Sequence, residues 1–239
     1  MRKFKKLVNI SIALGSIIAI STINNFNPAT ADSDNTHTEE AGAPDNRRSA
    51  GSRSDCLSAN NQINELVSLM PSKNNIGTTL SNYPTIFVYV PQTNNKQGEL
   101  LVTEGNTTIY NSTIELSSQA GIINLDILKN SNGSGLAAGR DYKWTFTIIC
   151  NPLNRSEDEY VSGYIKRIDN SQLEAEIQQI PTDERLDFYA KKGIWIETLN
   201  TIVQMRQNNP QDSALVNDWE SLLESVGLGD VASQPLIQP

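Results

Sequence analysis

Three consecutive acids, Glu157, Asp158 and Glu159, and a fourth at Asp141 are the residues of this chain best suited by type to chemistry. Paired carboxylates about 5 to 9.5 Å apart across a cleft hydrolyse glycosidic bonds, one donating a proton while the other acts as base or nucleophile. Most other routes fail on composition. His37 is the sole histidine, and it stands in a stretch without large apolar residues. No Ser-His-Asp triad, Cys-His pair or histidine-based zinc site can therefore be assembled on the folded part. No pattern fixes a nucleophile, a base and an oxyanion donor together. Asp126 with Asn130 and Asn132 offers oxygen ligands of the kind calcium takes, but the D-x-D-x-D-G loop with its distant glutamate is missing, and a plain turn accounts for the same residues. No cofactor motif is present.

The elements that must position these residues begin after a leader. Arg2, Lys3, Lys5 and Lys6 precede an apolar run from Leu7 to Ile20, and Ala29-Thr30-Ala31 provides a small-x-small cleavage site. This is the pattern of a secretory signal peptide over residues 1–31, cut after Ala31, and its apolar run is too short to span a bilayer. Export predicts a periplasmic or secreted protein with no membrane span after cleavage. Loss of the four leader cations takes the formal net charge from −8 to −12. A chain so acidic, without clustered Lys and Arg, is a poor binder of nucleic acid.

Cys56 and Cys150 are the only cysteines, and in an exported chain an even count points to a disulfide. That bridge closes a loop of about 95 residues and removes about 4 to 5 kcal/mol of unfolded-state entropy. The alternative is a buried pair of free thiols. A redox-active role lacks the C-x-x-C spacing.

Residues 32–54 hold no large apolar side chain and read as a flexible linker. The cluster Ile63, Leu66, Val67, Leu69 and Met70, stopped by Pro71, fits either a short helix or a first strand. From Thr85 the period is two. Strands are expected over 85–90, 99–103, 107–116, 122–127, 141–150 and 160–168, with Glu104-Gly105-Asn106 as a three-residue hairpin loop. In Asp141 to Cys150, Tyr142, Trp144 and Phe146 share one face. They suit a core better than a sugar-binding platform, because polar residues alternate with them. Leu136, Gly139 and Tyr142 stand at tyrosine-corner spacing. The expectation is an immunoglobulin- or fibronectin-like antiparallel β-sandwich over residues 55–169.

Residues 170–239 should be a helical segment packed on that sandwich. Ser171-x-x-Glu174 reads as a capping box. The series Tyr189, Gly193, Trp195, Thr198, Ile202, Met205, Pro210 follows the contact, turn and stop positions of one tetratricopeptide-like hairpin. A third helix runs from Ser213 to Val226, and the tail SQPLIQP frays. One repeat cannot bury a continuous core, so it docks on the sandwich or on a partner. In the second case Tyr189, Trp195 and Met205 form the partner-binding surface.

The segments GSRSDC, YPTIFVYVP, AGIINLDI, GRDYKWTFTIICNPLNRS, YVSGYIKRI, YAKKGIWIETLNTIVQMRQNNP and DWESLLESVGL, in that order, resemble the cyanobacterial domain of unknown function 928 over about residues 50 to 230. The resemblance implies an exported cyanobacterial protein and carries over no catalytic residues. The fold class is thus α+β, and the functional expectation is a non-catalytic envelope protein that takes a protein or glycan partner. A carboxylate-based hydrolase of envelope or extracellular polysaccharide is the alternative. If the two cysteines are bridged, thiol labelling of the denatured, unreduced protein modifies neither Cys56 nor Cys150, and labelling of both disproves the bridge.

Overall fold

A computed structural model describes residues 46–49, 56–57, 63–128 and 135–238. The leader 1–31, most of the linker 32–54 with His37, and Asn130 and Asn132 of the calcium reading lie outside the described residues. Eight strands come first: β1 (Val67–Ser68), β2 (Ile76–Thr79), β3 (Thr85–Val90), β4 (Gln97–Glu104), β5 (Thr107–Glu115), β6 (Gly121–Asp126), β7 (Asp141–Ile148) and β8 (Glu159–Arg167). Four helices follow: α1 (Ser171–Gln178), α2 (Arg185–Lys192), α3 (Trp195–Asn208) and α4 (Ser213–Glu224).

The strands form two sheets, one in the order β1-β3-β6 and one in the order β2-β8-β7-β4-β5. The protein is a mixed α+β fold, β-rich first and helical afterwards. Among the described residues every strand pairing is antiparallel except β2 with β8, which is parallel. The chain enters β2 from the other sheet and not through a tight turn from β8, so no hairpin dictates its direction. The apolar cluster at 63–70 proves to be extended: Leu66, Val67, Leu69 and Met70 are buried around the short strand β1.

The β7 alternation follows from its sequence. Tyr142, Trp144, Phe146 and Ile148 are buried, whereas Asp141 and Lys143 are exposed. The Tyr142 hydroxyl accepts a hydrogen bond from the Ala137 N–H at 2.8 Å, with Gly139 between them at φ +71°. This is the hydrogen bond a tyrosine corner makes. Glu104 pairs with Thr107, so the hairpin loop is the two residues Gly105-Asn106, one fewer than expected. Gly105 takes φ +55° there, which glycine alone adopts without cost.

Helix starts are fixed by short polar side chains. Asn170, one residue ahead of the expected cap, accepts from the Leu173 N–H at 3.0 Å, and Asp212 accepts from the Ala214 N–H at 2.9 Å. Helix α2 ends on Gly193 at φ +68°. The tail does not fray. The Ile122 N–H donates to Pro235 O at 2.8 Å and the Ile237 N–H donates to Ile122 O at 2.9 Å, a parallel bridge onto the β6 edge.

Both sheets, α3 and α4 share one cluster of buried side chains. Trp144, one of its three tryptophans, lies opposite Gly163 of β8. A Cβ at Gly163 would come 2.9 Å from Trp144 Nε1 and 3.0 Å from Asn75 Oδ1. The Gly163→Ala variant should therefore lose about 1–3 kcal/mol through overpacking. Urea unfolding measures this, and an unchanged midpoint would show that the indole can give way.

Candidate functional site

The four candidate acids are placed apart from one another in role. Glu157 is exposed and its Oε1 accepts from Asn154 Nδ2 at 2.5 Å. Asp158 caps the chain locally: its Oδ1 accepts from the Cys150 N–H at 3.0 Å and its Oδ2 pairs with the Arg155 guanidinium. Glu159 is buried at the start of β8, and Asp141 is exposed, 4.0 Å from Lys166. None of the four lines either of the two clefts described below. Cys56 and Cys150 stand at disulfide distance, with Cα atoms 5.2 Å apart. Among the described residues no group of three or more His, Cys, Asp or Glu is placed to hold a metal, and no helix is long and apolar enough to cross a membrane.

Tyr189, Trp195 and Met205 pack the helices. Trp195 is buried and its indole N–H donates to Leu69 O at 2.8 Å. Met205 packs against the main core, and Tyr189 against the smaller cluster of Leu173, Ile177 and Ile194. Burial raises the Tyr189 hydroxyl above its ordinary pKa.

Helix α3 is set down beside β2 by polar contacts. Thr78 Oγ1 donates to Gly193 O at 2.5 Å and accepts from the Trp195 N–H at 3.2 Å. One turn on, Glu197 Oε1 accepts from Thr79 Oγ1 at 2.7 Å, the Leu80 N–H at 2.9 Å and the Ser81 N–H at 3.1 Å. Its Oε2 is buried without a hydrogen-bond partner. Desolvation raises the Glu197 pKa, and the three hydrogen bonds offset that only in part.

The next turn opens a cleft of about 280 Å³. Its floor is one face of the three-stranded sheet, because Thr85 pairs with Asp126 and Phe87 with Asn124. Its wall is α3, which contributes Asn200, Gln204 and Gln207. The tail contributes Leu236, Ile237 and Gln238. Asn200 bridges wall and floor: its Nδ2 donates to Thr85 O at 3.1 Å and to Ile196 O at 3.0 Å. On the floor, Thr85 Oγ1 donates to Asp126 Oδ1 at 2.6 Å. A smaller recess of about 150 Å³ shares Gln207 and Leu236 and adds Arg206. That guanidinium lies 5.1 Å from the Trp219 ring, and burial lowers its pKa.

These amides were not singled out by the sequence reading. Asn200, Gln204 and Gln207 follow the i, i+4, i+7 spacing of one helix face, which is a visible stripe. Nothing local shows that Asn124 and Asp126 face it, since that juxtaposition depends on the fold.

Strands in two sheets followed by a helical segment, with an amide-lined recess between α3 and the three-stranded sheet, define a mixed α+β protein. The family model for Domain of Unknown Function (DUF928) matches residues 48–236. The chain belongs to that family. No curated protein matches it.

Glu197 generates a pH prediction. A carboxyl whose pKa is raised by folding holds its proton more tightly folded than unfolded. Its stabilising contribution is thus full below its ordinary value of 4.5 and declines as the pH climbs through the raised value. Glu197→Gln keeps the Oε1 acceptor and removes the titration. Its unfolding free energy should vary less between about pH 4 and 7 than that of the wild type, measured by urea denaturation; identical slopes in the two proteins would refute the assignment.

Proposed function

We propose that the protein is an exported, non-catalytic interaction module of the cell envelope, which recruits a protein or glycan partner through the cleft between α3 and the β3–β6 face. In this reading residues 1–31 are removed as a leader and 32–54 serve as a tether. Residues 55–169 form an immunoglobulin-like sandwich, and 170–239 a tetratricopeptide-like helical appendage. The leader pattern supports export to a periplasmic or extracellular address. The cysteine pair at disulfide distance fits an oxidising compartment.

The observation that carries the reading is the cleft itself. Its polar side chains come from three separate parts of the chain, on the sheet, α3 and the tail, and converge on one recess. Tyr189, Trp195 and Met205 serve it by holding the helices in place. Against the hydrolytic alternative stands the use of the acidic loop in its own folding: Asp158 is occupied by the Cys150 N–H and Arg155, and Glu159 is buried.

The test is recovery of the tagged protein from its producing cell, together with whatever it retains, in wild-type and Gln204→Trp forms. Gln204 is exposed on the wall, so the indole fills the cleft without disturbing the core. A partner retained by wild type and lost by Gln204→Trp is the expected result. A partner held equally by both overturns the assignment of the cleft. A turnover activity abolished by alanine at Glu157, Asp158 and Glu159, with the fold intact, overturns the non-catalytic reading.

A further inference from the structure

We propose that the cleft binds a neutral glycan, holding one or two sugar rings between the α3 wall and the β3–β6 floor; this rests on the reading of that cleft as the binding face. Charge narrows the ligand first. Among the described residues the only charged side chain lining the cleft is Asp126, and no lysine or arginine lines it. Phosphate, sulfate and uronate ligands are held best by such cations, and the Arg206 guanidinium lines the adjoining recess and lies against the Trp219 ring instead of lining the cleft.

The arrangement of donors and acceptors narrows it further. Asn200 commits its amide nitrogen to Thr85 O and Ile196 O, two acceptors only, which fixes the orientation of the amide. Neither bond uses its Oδ1, so this residue of the cleft lining keeps an acceptor whose orientation is set. Thr85 and Asp126 are likewise held by their mutual hydrogen bond. Around these fixed groups, Asn124, Gln204, Gln207 and Gln238 offer amides that both donate and accept. A sugar hydroxyl matches this set, since it donates to a fixed acceptor and accepts from a rim N–H in one contact. Leu236 and Ile237, both half-buried, supply apolar surface for the C–H face of a sugar ring, above the buried Phe87 and Val203.

Size decides against a folded partner. A recess of about 280 Å³ lies at the lower edge of small-ligand sites, about 300–1,000 Å³. A stable protein–protein contact covers about 800 Å² on each side. A peptide adding as a strand to the β6 edge would meet the tail, which already takes the Ile122 main chain there.

The test is isothermal titration calorimetry of the protein with neutral cello-, xylo-, manno- and chito-oligosaccharides, and with polygalacturonate and heparin as anionic probes. At least one neutral oligosaccharide should bind, with an affinity unchanged between about 0.05 and 0.5 M salt. The double variant Asn124→Ala, Gln204→Ala should weaken it about tenfold or more, with an unaltered unfolding midpoint showing that the fold survives. Gln204→Trp should abolish it by occupying the space. Binding of no neutral sugar, binding of the anionic probes alone, or neutral binding indifferent to these variants overturns the inference. A protein partner that Gln204→Trp releases, with no sugar bound, overturns the glycan inference and leaves the cleft as the binding face. Partner retention unaffected by Gln204→Trp removes both.

Discussion

The carboxylate of Glu197 joins the helices to the strands where the strand beneath offers almost no apolar side chain. β2 reads Ile76-Gly77-Thr78-Thr79, and a Cβ at Gly77 would come 3.1 Å from Ile196 Cγ1, so α3 lies close against bare backbone. The main-chain N–H of Leu80 would cost about 1–3 kcal/mol if buried there unpaired, whereas the Ser81 N–H is shared between Glu197 Oε1 and Thr79 Oγ1, the latter at 3.0 Å. Glu197 Oε1 satisfies both together with the Thr79 hydroxyl. The arrangement works against itself, because the same close approach strips water from the carboxylate and leaves Oε2 without a partner. Position of the helix is therefore obtained by burying a titratable carboxyl, and everything further along α3 inherits that position.

The sheets are held by a different balance. Trp144 of β7 fits opposite Gly163 because that neighbour has no side chain. The aromatic face of β7 continues through Phe146 beside Leu100 of β4 and Val161 of β8. At the end of this strand Cys150 meets Cys56, which ties the N-terminal side of the chain to the central sheet. Arg48 makes a second tie on that side: it bridges Glu65 at 2.7 Å and Asp230 at 2.8 Å, bringing both ends of the described chain together. Half-exposed ion pairs of this kind contribute little individually, about 0–1 kcal/mol, so they define register more than stability.

The sequence made β3, β7, β8, the helical hairpin and α4 legible because each carries its own period, two or 3.6, over enough residues to stand out. Residues 85–90 are the strand the pattern marks, and Ser213 opens α4 as expected. β2 was invisible for a physical reason: Ile76-Gly77-Thr78-Thr79 has no apolar alternation, and its pairing with β8 and packing under α3 are both tertiary. The tail misled in the opposite sense. Ser-Gln-Pro-Leu-Ile-Gln-Pro looks like a frayed end, but β6 is an edge strand and its outward main-chain groups at Ile122 accept a short parallel partner. The acidic loop drew attention by composition alone, whereas Glu157 and Asp158 are spent on Asn154, Arg155 and the Cys150 N–H and Glu159 is buried.

The cleft was half legible, since the amide stripe on α3 is written in the sequence and its facing residues on β6 are not. Its chemistry also argues against simple packing. If α3 met the sheet for cohesion alone, apolar residues at positions 124, 200 and 204 would close the gap, and each fully buried side chain would contribute about 1.5–3 kcal/mol. Asn200 instead spans the gap with its amide nitrogen and hydrogen-bonds the sheet through Thr85 O. A bond of that kind sets a distance that apolar contact does not, because N–H···O geometry holds donor and acceptor near 3 Å. The side chain that spaces the helix from the sheet is thus a polar one, so the width of the recess follows from a hydrogen bond and not from a gap in apolar packing.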